Sequence, residues 1–528
     1  MNSDQAAQHY DAVVIGGAFS GSVVATLLKR FRPETRILLV EKAQAFDRKV
    51  GEATVEISAL MLYRVLGLHD LLCREQLPKH GLRYWFTDGS SDMKLSAMSE
   101  VGPREVPRLP TFQLDRAKLD ESLLRVAGEA GVEILRPAKI GATGLAWPES
   151  RLTVETEDGQ VREISTRWVV DASGRNAVLA RRYGLLRQSK NHPTAAVWGR
   201  WKGVKDMDGA EVMGLDPRKP CLEPVASARR LATNHFCGYG WWCWVIPLSG
   251  GDTSVGLVYN KELYQLPPGA NLLEQYRSFI DANPGLKDLL EHAELDLEDF
   301  RSYAHLPYCT ERYADFGWAL VGDAASFIDP YYSPGLDHAS ISAYATARLI
   351  DEELSGKLDR QALGAALETH NGNFLRSYQR WISALYIGKY ELMGDAELTA
   401  AAFLMDTAMY YMGIVTPAYE NVEALRTPIF SEEILPTRLA YGWMSFYHHR
   451  LIKLARRRRT LGIYGHRNVG WRLFIKTATL GRTGGMPMLR SGIRVWLRAE
   501  WETFLAGLGK RPKKPVAKPM VAQPEMAS

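Results

Sequence analysis

The first apolar run of the chain covers residues 10–15 and is rich in β-branched side chains, which predicts a strand buried on both faces. A glycine-rich turn follows at 16–21, then a segment of helical periodicity at 22–30. A second apolar run at 36–40 ends on Glu41. Strand, glycine turn, helix, strand and acidic residue in this order predict a dinucleotide-binding βαβ unit, in which the helix N-terminus faces a pyrophosphate and the acid accepts from a ribose hydroxyl.

The glycine turn departs from the common fingerprint at one position, because Ala18 replaces the middle glycine. The extra methyl group predicts a backbone slightly further from the phosphates than in the strict form. The prediction of a dinucleotide site therefore depends more on the order of the elements than on the glycines. The candidate dinucleotide-binding residues of this unit are Gly16, Ala18, Phe19, Ser20, Gly21, Glu41 and Lys42.

The rest of the chain divides by its periodicity. Alternating apolar and polar residues at 196–300 predict a β-rich substrate lobe inserted into the first domain, which would comprise 8–195 and 301–350. Helical periodicity within 351–509 predicts an α-helical C-terminal extension, and the Pro- and Lys-rich residues 510–528 predict a disordered tail. The predicted class is α/β, a Rossmann-type domain with an inserted β-sheet lobe and a helical extension.

The composition is that of a globular protein, with 46% hydrophobic and 24% charged residues among 528. No apolar run approaches the roughly 20 residues of a membrane span, and the first residues lack the charged-then-apolar pattern of a secretory leader. The sequence therefore predicts a cytoplasmic protein. Its five cysteines form no Cys-x-x-Cys pair, so neither a disulfide framework nor a metal site is predicted. They are Cys73, Cys221, Cys237, Cys243 and Cys309.

Charge is distributed unevenly, because the segment 450–498 contains no Asp or Glu. Its cations are interleaved with Trp471, Phe474 and Trp496. Such a segment predicts either a solvated face or an acidic partner. The candidate partners are an acidic carrier protein that delivers a tethered substrate, or an anionic membrane surface that would hold the protein at the inner side of the membrane. Nucleic acid is less favoured, since no other feature indicates a nucleic-acid module.

Three further motifs follow the βαβ unit. Residues 171–174 (Asp-Ala-Ser-Gly) end an apolar run, and the turn at 322–323 (Gly-Asp) ends another, before Asp329-Pro330 and a predicted helix near Gly335. Residues 242–247 contain Trp-Cys-Trp-Val-Ile-Pro. Together these motifs resemble flavin-dependent halogenases, which belong to the superfamily of aromatic hydroxylase-type and glutathione-reductase-like FAD-binding proteins. Trp-x-Trp-x-Ile-Pro is the halogenase signature.

The resemblance implies an FAD cofactor. Residues 51–54 (Gly-Glu-Ala-Thr) are similar to the family's Gly-Glu-(Ser/Ala)-Thr segment beside the isoalloxazine, although Glu56 stands where the family has proline. The resemblance also places the aspartate of the 322–323 turn on the ribityl chain. It places a helix N-terminus at the pyrimidine edge, where the helix dipole stabilises the anionic reduced flavin. The cofactor residues that it adds are Glu52, Ala53, Thr54, Gln113, Arg116, Asp323, Pro330, Gly335 and Leu336.

The same resemblance implies a reaction. In halogenases, reduced FAD supplied by a separate flavin reductase oxidises a halide with dioxygen, and hypohalous acid reaches a substrate held apart from the flavin. Lys79, two residues before a glycine and a predicted strand, is similar to the family's active-site lysine. Trp242 and Trp244, on one face of a predicted strand, would wall the passage. The implied substrate is an electron-rich aromatic, free or carrier-tethered, and the catalytic candidates are Lys79, Trp242, Trp244 and Ser333.

The halide site implied by the resemblance is altered in this chain. The family binds halide with backbone N–H groups in the loop that aligns with Ser333-Pro334-Gly335. Pro334 has no N–H, and an ionised Asp337 would repel an anion by about 1 kcal/mol or more. Two alternatives therefore stay open: an FAD-dependent monooxygenase or dehydrogenase without halide use, and a non-enzymatic flavin-binding docking protein. The Met- and Tyr-rich residues 404–412 fit either a packed core or an apolar substrate tunnel.

Overall fold

The computed structural model describes residues 8–90, 93–212, 227–481 and 483–510. Apart from Lys510, the predicted tail lies outside the described residues, as does Cys221. The strands, numbered in chain order, are β1 Gln8–Ile15, β2 Ile37–Val40, β3 Leu77–Pro78, β4 Leu82–Phe86, β5 Ser99–Pro103, β6 Phe112–Gln113, β7 Glu133–Leu135, β8 Ala138–Gly144, β9 Ser150–Thr156, β10 Val161–Asp171, β11 Leu186–Gln188, β12 Thr194–Lys202, β13 Thr233–Gly238, β14 Trp241–Pro247, β15 Thr253–Asn260, β16 Glu294–Leu295, β17 Arg301–Tyr303, β18 Tyr308–Thr310, β19 Ala314–Asp315, β20 Trp318–Leu320, β21 Ser326–Phe327 and β22 Arg472–Ile475. The α-helices are α1 Phe19–Phe31, α2 Glu56–Leu60, α3 His69–Glu75, α4 Arg116–Glu129, α5 Val178–Arg182, α6 Leu272–Asp281, α7 Pro284–Leu290, α8 Gly335–Leu354, α9 Arg360–Trp381, α10 Ala396–Tyr410, α11 Thr416–Glu420, α12 Leu435–Thr460 and α13 Met486–Gly507.

The first sheet contains five parallel strands in the order β20-β10-β1-β2-β7. Because β1, β10 and β20 run in the same direction, the turns at 16–21, 171–174 and 322–323 meet at one edge. α1 follows the first of these turns and packs against α4 and α8. The carboxyl edge of a parallel sheet is where such folds bind nucleotides. The predicted Rossmann-type unit is therefore confirmed.

The second sheet contains nine strands, in the order β16-β12-β15-β14-β13-β4-β5-β22 with β17 beside β12. It holds the strands predicted within 196–300, but β4 and β5 come from the first part of the chain and β22 from the last. The sheet is therefore wider than the predicted lobe, because strand pairing depends on tertiary contacts that a local pattern does not encode. The alternation predicted along β14 is confirmed: Trp242 and Trp244 pack in one core, and Trp241 and Cys243 in another.

The C-terminal helices pack around α10, which is rich in apolar residues and buried on nearly all sides. The helix continues through a π-helical turn at Tyr411–Val415 into α11. Among the described residues, the stretch Ala396–Glu420 is long and apolar enough to cross a membrane, but 72% of its apolar window is buried inside the fold. α10 also lies against α13. We therefore interpret this stretch as a core helix.

Much of the basic segment 450–498 is neutralised inside the fold. Arg458 is fully buried and pairs with Asp395 at 3.1 Å and with Glu397 at 2.7 Å. Arg456 pairs with Glu391 at 2.6 Å. These acids precede the segment in the sequence. The segment therefore carries less net charge in three dimensions than its own composition indicates.

Candidate active site

A cavity of about 750 Å³ lies at the carboxyl edge of the parallel sheet and reaches β14. The first residues of α1 and α8 line it, and the first N–H groups of a helix have no partner within the helix. Two positive helix ends therefore lie at this cavity. The predicted residues that line it are Gly16, Ala18, Phe19, Ser20, Glu41, Lys42, Glu52, Ala53, Arg116, Trp242, Trp244, Asp323, Pro330, Ser333, Gly335 and Leu336.

Two glycines of the first turn are required by close backbone contacts. Gly16 has a φ of +97°, and a Cβ there would lie 2.7 Å from the Ala172 carbonyl oxygen. A Cβ at Gly21 would lie 1.7 Å from the Gly16 carbonyl oxygen. Ala18, the departure from the fingerprint, is the N-cap residue of α1 and lines the cavity. The turn thus keeps the tight geometry of a pyrophosphate site, with one methyl group in its wall.

Glu41 is held in place by the backbone. The Gly17 N–H donates to Oε2 at 2.7 Å, and the Ala43 N–H donates to Oε1 at 2.8 Å. Each carboxylate oxygen has a second lone pair, so Glu41 can also accept from a ribose hydroxyl. The glycine turn, the helix ends and this carboxylate together fit FAD, because its phosphates and ribose need those groups. We therefore call the cavity of about 750 Å³ the flavin cavity.

Arg116 and Lys49 meet on the buried carboxylate of Asp120, at 3.1 Å and 2.6 Å. Arg116 Nη1 also donates to the carbonyl oxygens of Val50 and Gly51, at 3.3 Å and 3.2 Å. Burial lowers the pKa of Lys49, and the Asp120 carboxylate opposes that shift. Arg116 therefore both lines the flavin cavity and holds the backbone beneath it.

Glu52 belongs to a buried chain of ion pairs that sequence reasoning missed. The Arg200 guanidinium donates to Glu52 at 2.5 Å and to Asp299 at 2.7 Å. Burial raises the pKa of Glu52 to about 6, and Arg200 opposes this rise. Neither Arg200 nor Asp299 lies in a recognisable motif, because only the folded chain brings these three positions together.

The two signature tryptophans line the flavin cavity side by side, with ring centroids 5.8 Å apart. Trp242 Nε1 donates to the Tyr390 hydroxyl at 2.9 Å, and that hydroxyl donates to Asp329 at 2.9 Å. Trp244 Nε1 donates to the Ser254 hydroxyl at 3.0 Å. Each indole is therefore fixed by a hydrogen bond as well as by packing, which makes a rigid wall.

A second cavity, of about 220 Å³, adjoins the first and contains Lys79 in its lining. Lys79 is 3% exposed, and its Nζ donates to the Thr54 carbonyl oxygen at 2.7 Å. Burial lowers the pKa of Lys79 from 10.5 to about 8, with Glu56 and Asp337 opposing the shift. The ammonium group is thus enclosed and does not point into bulk solvent. The large apolar side chains around it are Leu82, Phe327, Ile341, Phe374, Trp381, Leu385, Phe403, Ile414, Ile429 and Met488.

Two carboxyl groups line the same cavity as Lys79. Asp337 accepts from a backbone N–H at 2.7 Å and from the Tyr410 hydroxyl, and burial raises its pKa to about 7. Glu56 accepts from the Tyr411 hydroxyl at 2.7 Å. The two tyrosines flank the junction between α10 and its π-helical turn, a distortion that is frequent at functional sites. Asp337 lines the cavity of Lys79 and does not line the larger cavity.

Within the part of the chain that the structure describes, three residues line both cavities: Asp323, Phe327 and Gly335. Lys79 lines only the smaller cavity, and the two tryptophans line only the larger one. The partition between the two cavities is therefore formed by the segment 323–335, which runs from the turn after β20 through β21 to the first residue of α8. The predicted tryptophan wall belongs to the flavin side of that partition.

The loop that the resemblance assigns to halide lies next to this partition. Tyr332 and Ser333 have positive φ values of 74° and 58°. Such residues cost about 1–3 kcal/mol each and cluster at functional sites. The Ser333 N–H donates to the Pro330 carbonyl oxygen at 2.8 Å, and Pro334 has no N–H. Of the three aligned residues, Gly335, at the first position of α8, is the one that offers an amide to an anion.

Three predicted cofactor residues, Gly21, Thr54 and Gln113, do not line the flavin cavity. Thr54 Oγ1 accepts from the Phe112 N–H at 2.7 Å. Gln113 is fully buried, and its Nε2 donates to the Thr233 hydroxyl at 3.0 Å. These side chains join the segments that form the cavity wall.

Comparison with known proteins agrees with this geometry. The tryptophan halogenase family matches residues 11–95 and 91–374, which is more than half of the chain. A flavin-dependent halogenase of Dictyostelium discoideum is 27% identical over 470 residues, covering 80% of this chain and 73% of that protein. The 1H-pyrrole-2-carbonyl peptidyl-carrier-protein chlorinase of Pseudomonas fluorescens is 27% identical over 456 residues, covering 82% of this chain and 96% of that one.

Two solved structures share the fold. The myxobacterial chondrochloren halogenase CndH has a TM-score of 0.59 at 24% identity, covering 73% of this chain and 83% of that chain. The halogenase PltM in complex with phloroglucinol and FAD has a TM-score of 0.66 at 17% identity, covering 93% and 96%. The family match, these relatives and the shared fold confirm the predicted α/β FAD-binding fold, the FAD cofactor and FAD-dependent halogenation with a halide, so the two alternative interpretations are set aside. The chain belongs to the tryptophan halogenase family of FAD-dependent enzymes.

Proposed function

We propose that this enzyme halogenates a small, electron-rich and largely apolar aromatic compound that binds beside Lys79. The observation that carries the proposal is a buried amine in an apolar cavity that shares a wall with the flavin cavity. An apolar lining favours a ring with few charges. The complex of the halogenase PltM with phloroglucinol supports a phenol as that ring.

The flavin side of the site holds the cofactor and the halide. FAD, once reduced by the separate flavin reductase that the family generally needs, would activate dioxygen as the oxidant that makes the halogen electrophilic. The Gly335 amide and the positive end of α8 favour an anion at the partition. Trp242 and Trp244, both fixed by hydrogen bonds, exclude the substrate ring from this side.

The substrate side of the site directs the halogen to the ring. Lys79 Nζ has three N–H bonds in its charged form, and the Thr54 carbonyl accepts one of them. The others hydrogen-bond the electrophilic halogen species and hold it beside the ring. When the new carbon–halogen bond forms, the halogen–oxygen bond of the hypohalous acid breaks, and the released hydroxide takes a proton from Lys79 Nζ and leaves as water. The same ring carbon loses its proton to the Glu56 carboxylate. Asp337, with a pKa near 7, is a second acceptor on the same wall.

A free substrate suits a cavity of about 220 Å³ better than a tethered one. The Pseudomonas fluorescens relative, whose name specifies a substrate on a peptidyl carrier protein, supports a tethered substrate as the second candidate. We propose a cytoplasmic location for this enzyme.

The test is reconstitution with FAD, a flavin reductase, dioxygen and either chloride or bromide on a panel of phenols, with mass spectrometry of the products. Lys79→Met should lower halogenated product by at least about a hundredfold, while FAD binding and oxygen consumption persist. The matched control is Lys287→Met, which changes an exposed lysine on α7 and should leave product formation unchanged.

Two outcomes would contradict the proposal in different ways. Product formation by Lys79→Met at the wild-type rate would exclude the role given to Lys79. Halogenation of a carrier-tethered aromatic, with none of the free phenols modified, would replace the free substrate with the tethered one.

A further inference from the structure

Large apolar side chains are exposed along the two C-terminal helices α12 and α13, and we call this surface the α12–α13 face. Eight of them are between 37% and 67% exposed. On each helix they recur at steps of three or four residues, so each row lies on one side of its helix. The rows are Leu435, Leu439, Trp443 and Phe446 on α12, and Leu497, Trp501, Phe504 and Leu508 on or directly after α13.

Trp496 connects the two rows. Its ring centroid lies 6.4 Å from that of Trp443 and 6.4 Å from that of Phe446. Leu497, the next residue, begins the row on α13. Soluble monomers rarely expose large apolar patches, and rows of exposed apolar side chains on two packed helices favour binding to a protein or a membrane.

The helices that carry this face are basic. α12 contains no Asp or Glu. The two acids of α13 are engaged within the fold, because Glu500 pairs with Arg450 at 2.5 Å and Glu502 pairs with His466 at 3.0 Å. Exposed cations on these helices are Arg438, Lys453, Arg457, Arg490 and Arg494. The sequence after Leu508 adds Lys510, Arg511, Lys513, Lys514 and Lys518.

We infer that the α12–α13 face docks on an anionic lipid membrane, with both helices lying in the plane of the interface. Trp, Phe and Leu side chains enter between the lipid headgroups, while the flanking cations pair with lipid phosphates. We interpret Ala396–Glu420, the stretch that is long and apolar enough to cross a membrane, as a core helix, so the inference concerns docking at the bilayer surface.

Two other occupants fit the face less well. A second copy of the chain would form an isologous contact, which would bring two sets of the same cations together. An acidic carrier protein would match the cations, but its charged surface would leave both apolar rows without apolar partners. An anionic lipid bilayer supplies both phosphates for the cations and an apolar interior for the two rows.

The helix α13 also reaches the substrate cavity. Met488 lies in the first turn of α13 and lines the cavity of Lys79. α13 packs on α10, whose Phe403 lines the same cavity. The membrane inference does not rest on the proposed function, because surface residues of α12 and α13 define the face.

The test is flotation of the full-length, FAD-bound protein with phosphatidylcholine vesicles that contain or lack phosphatidylglycerol. We expect the wild type to float with the anionic vesicles and to remain below with the neutral ones, and we expect added salt to weaken the binding. Trp501→Ser combined with Phe504→Ser should lower binding at least about tenfold, because both side chains lose their apolar burial in the interface. Leu297→Ser removes a 57% exposed apolar side chain from the other lobe and should bind like the wild type.

The remaining outcomes decide against the inference. A wild type that floats with neither vesicle, or a double variant that floats unchanged, would overturn it. Light scattering that reports a dimer abolished in the double variant, without flotation, would assign the face to a second copy. Binding to a purified acidic carrier protein, lost in the double variant and again without flotation, would assign it to a protein partner.

Discussion

The buried amine of Lys79 makes the stability of this protein depend on pH, and replacing it with methionine should remove that dependence. The pKa of Lys79 is about 8 in the folded protein, against an ordinary value of 10.5, because burial disfavours the charged form. Between these two pH values the unfolded chain binds a proton that the folded chain has released. The free energy of unfolding of the wild type therefore rises with pH across this window and is lowest, as far as Lys79 contributes, below pH 8.

The size of the effect follows from the two pKa values. At about 1.4 kcal/mol per pKa unit, the interval from 8 to 10.5 corresponds to about 3 kcal/mol. The hydrogen bond from Nζ to the Thr54 carbonyl is lost in Lys79→Met, which adds an offset of about 1–3 kcal/mol that depends little on pH. The pKa of Lys79 is therefore tested by how the difference in free energy of unfolding between wild type and variant changes with pH. The size of that difference at a single pH does not test it.

Urea midpoints of the wild type and Lys79→Met, measured from neutral pH to about pH 10, give this slope through the linear dependence of stability on denaturant. Over that range, the free energy of unfolding of the wild type should rise by about 2–3 kcal/mol relative to that of Lys79→Met. Lys287→Met removes an exposed lysine, so its free energy of unfolding should change with pH in the same way as that of the wild type. A constant difference between wild type and Lys79→Met across this range would refute the assignment of a buried, destabilised amine.

Three further predictions concern groups whose partners the structure identifies. Arg200→Met leaves two buried carboxylates unpaired, so the free energy of unfolding should fall by about 3–5 kcal/mol and FAD should dissociate on gel filtration; an unchanged urea midpoint would contradict this. Tyr390→Phe removes the hydroxyl between Trp242 and Asp329 and should cost about 1–3 kcal/mol in thermal denaturation, with equal stability showing that the hydroxyl is dispensable. Burial raises the pKa of Asp337 from 3.8 to about 7, so its contribution to wild-type stability is greatest below pH 3.8 and declines as pH rises towards 7. Denaturation midpoints of Asp337→Asn should lack that decline, and an identical profile would exclude the raised pKa.

Sequence patterns predicted the fold and the site correctly where the interacting residues are near one another in the chain. The turn at Gly16, the helix α1 and Glu41 all lie within one βαβ unit, and each follows from local periodicity and turn chemistry. Patterns were not sufficient where partners are distant. Gln113 was predicted at the cofactor, yet it bonds to Thr233, and the partners of Arg200 come from separate segments.

In the C-terminal region, sequence patterns likewise do not predict which charges are paired and which apolar side chains are exposed. The composition of 450–498 indicates a uniformly positive segment, but Asp395 and Glu397 reach it from α10 and its N-cap. The apolar rows of the α12–α13 face have the periodicity of core helices. Only the fold shows that Trp501 and Phe504 have no covering element among the described residues.

The loop that separates the two cavities gives the enzyme a modular design. On the proposed function, oxidant generation and ring selection take place in adjoining cavities, and among the described residues Asp323, Phe327 and Gly335 line both of them. Mutations at Ile414 or Ile429 can therefore diversify which compounds are accepted without disturbing the redox half of the cycle. Directed evolution of a new specificity should accumulate its changes on the lysine side, and variants selected there should retain the halide turnover of their parent.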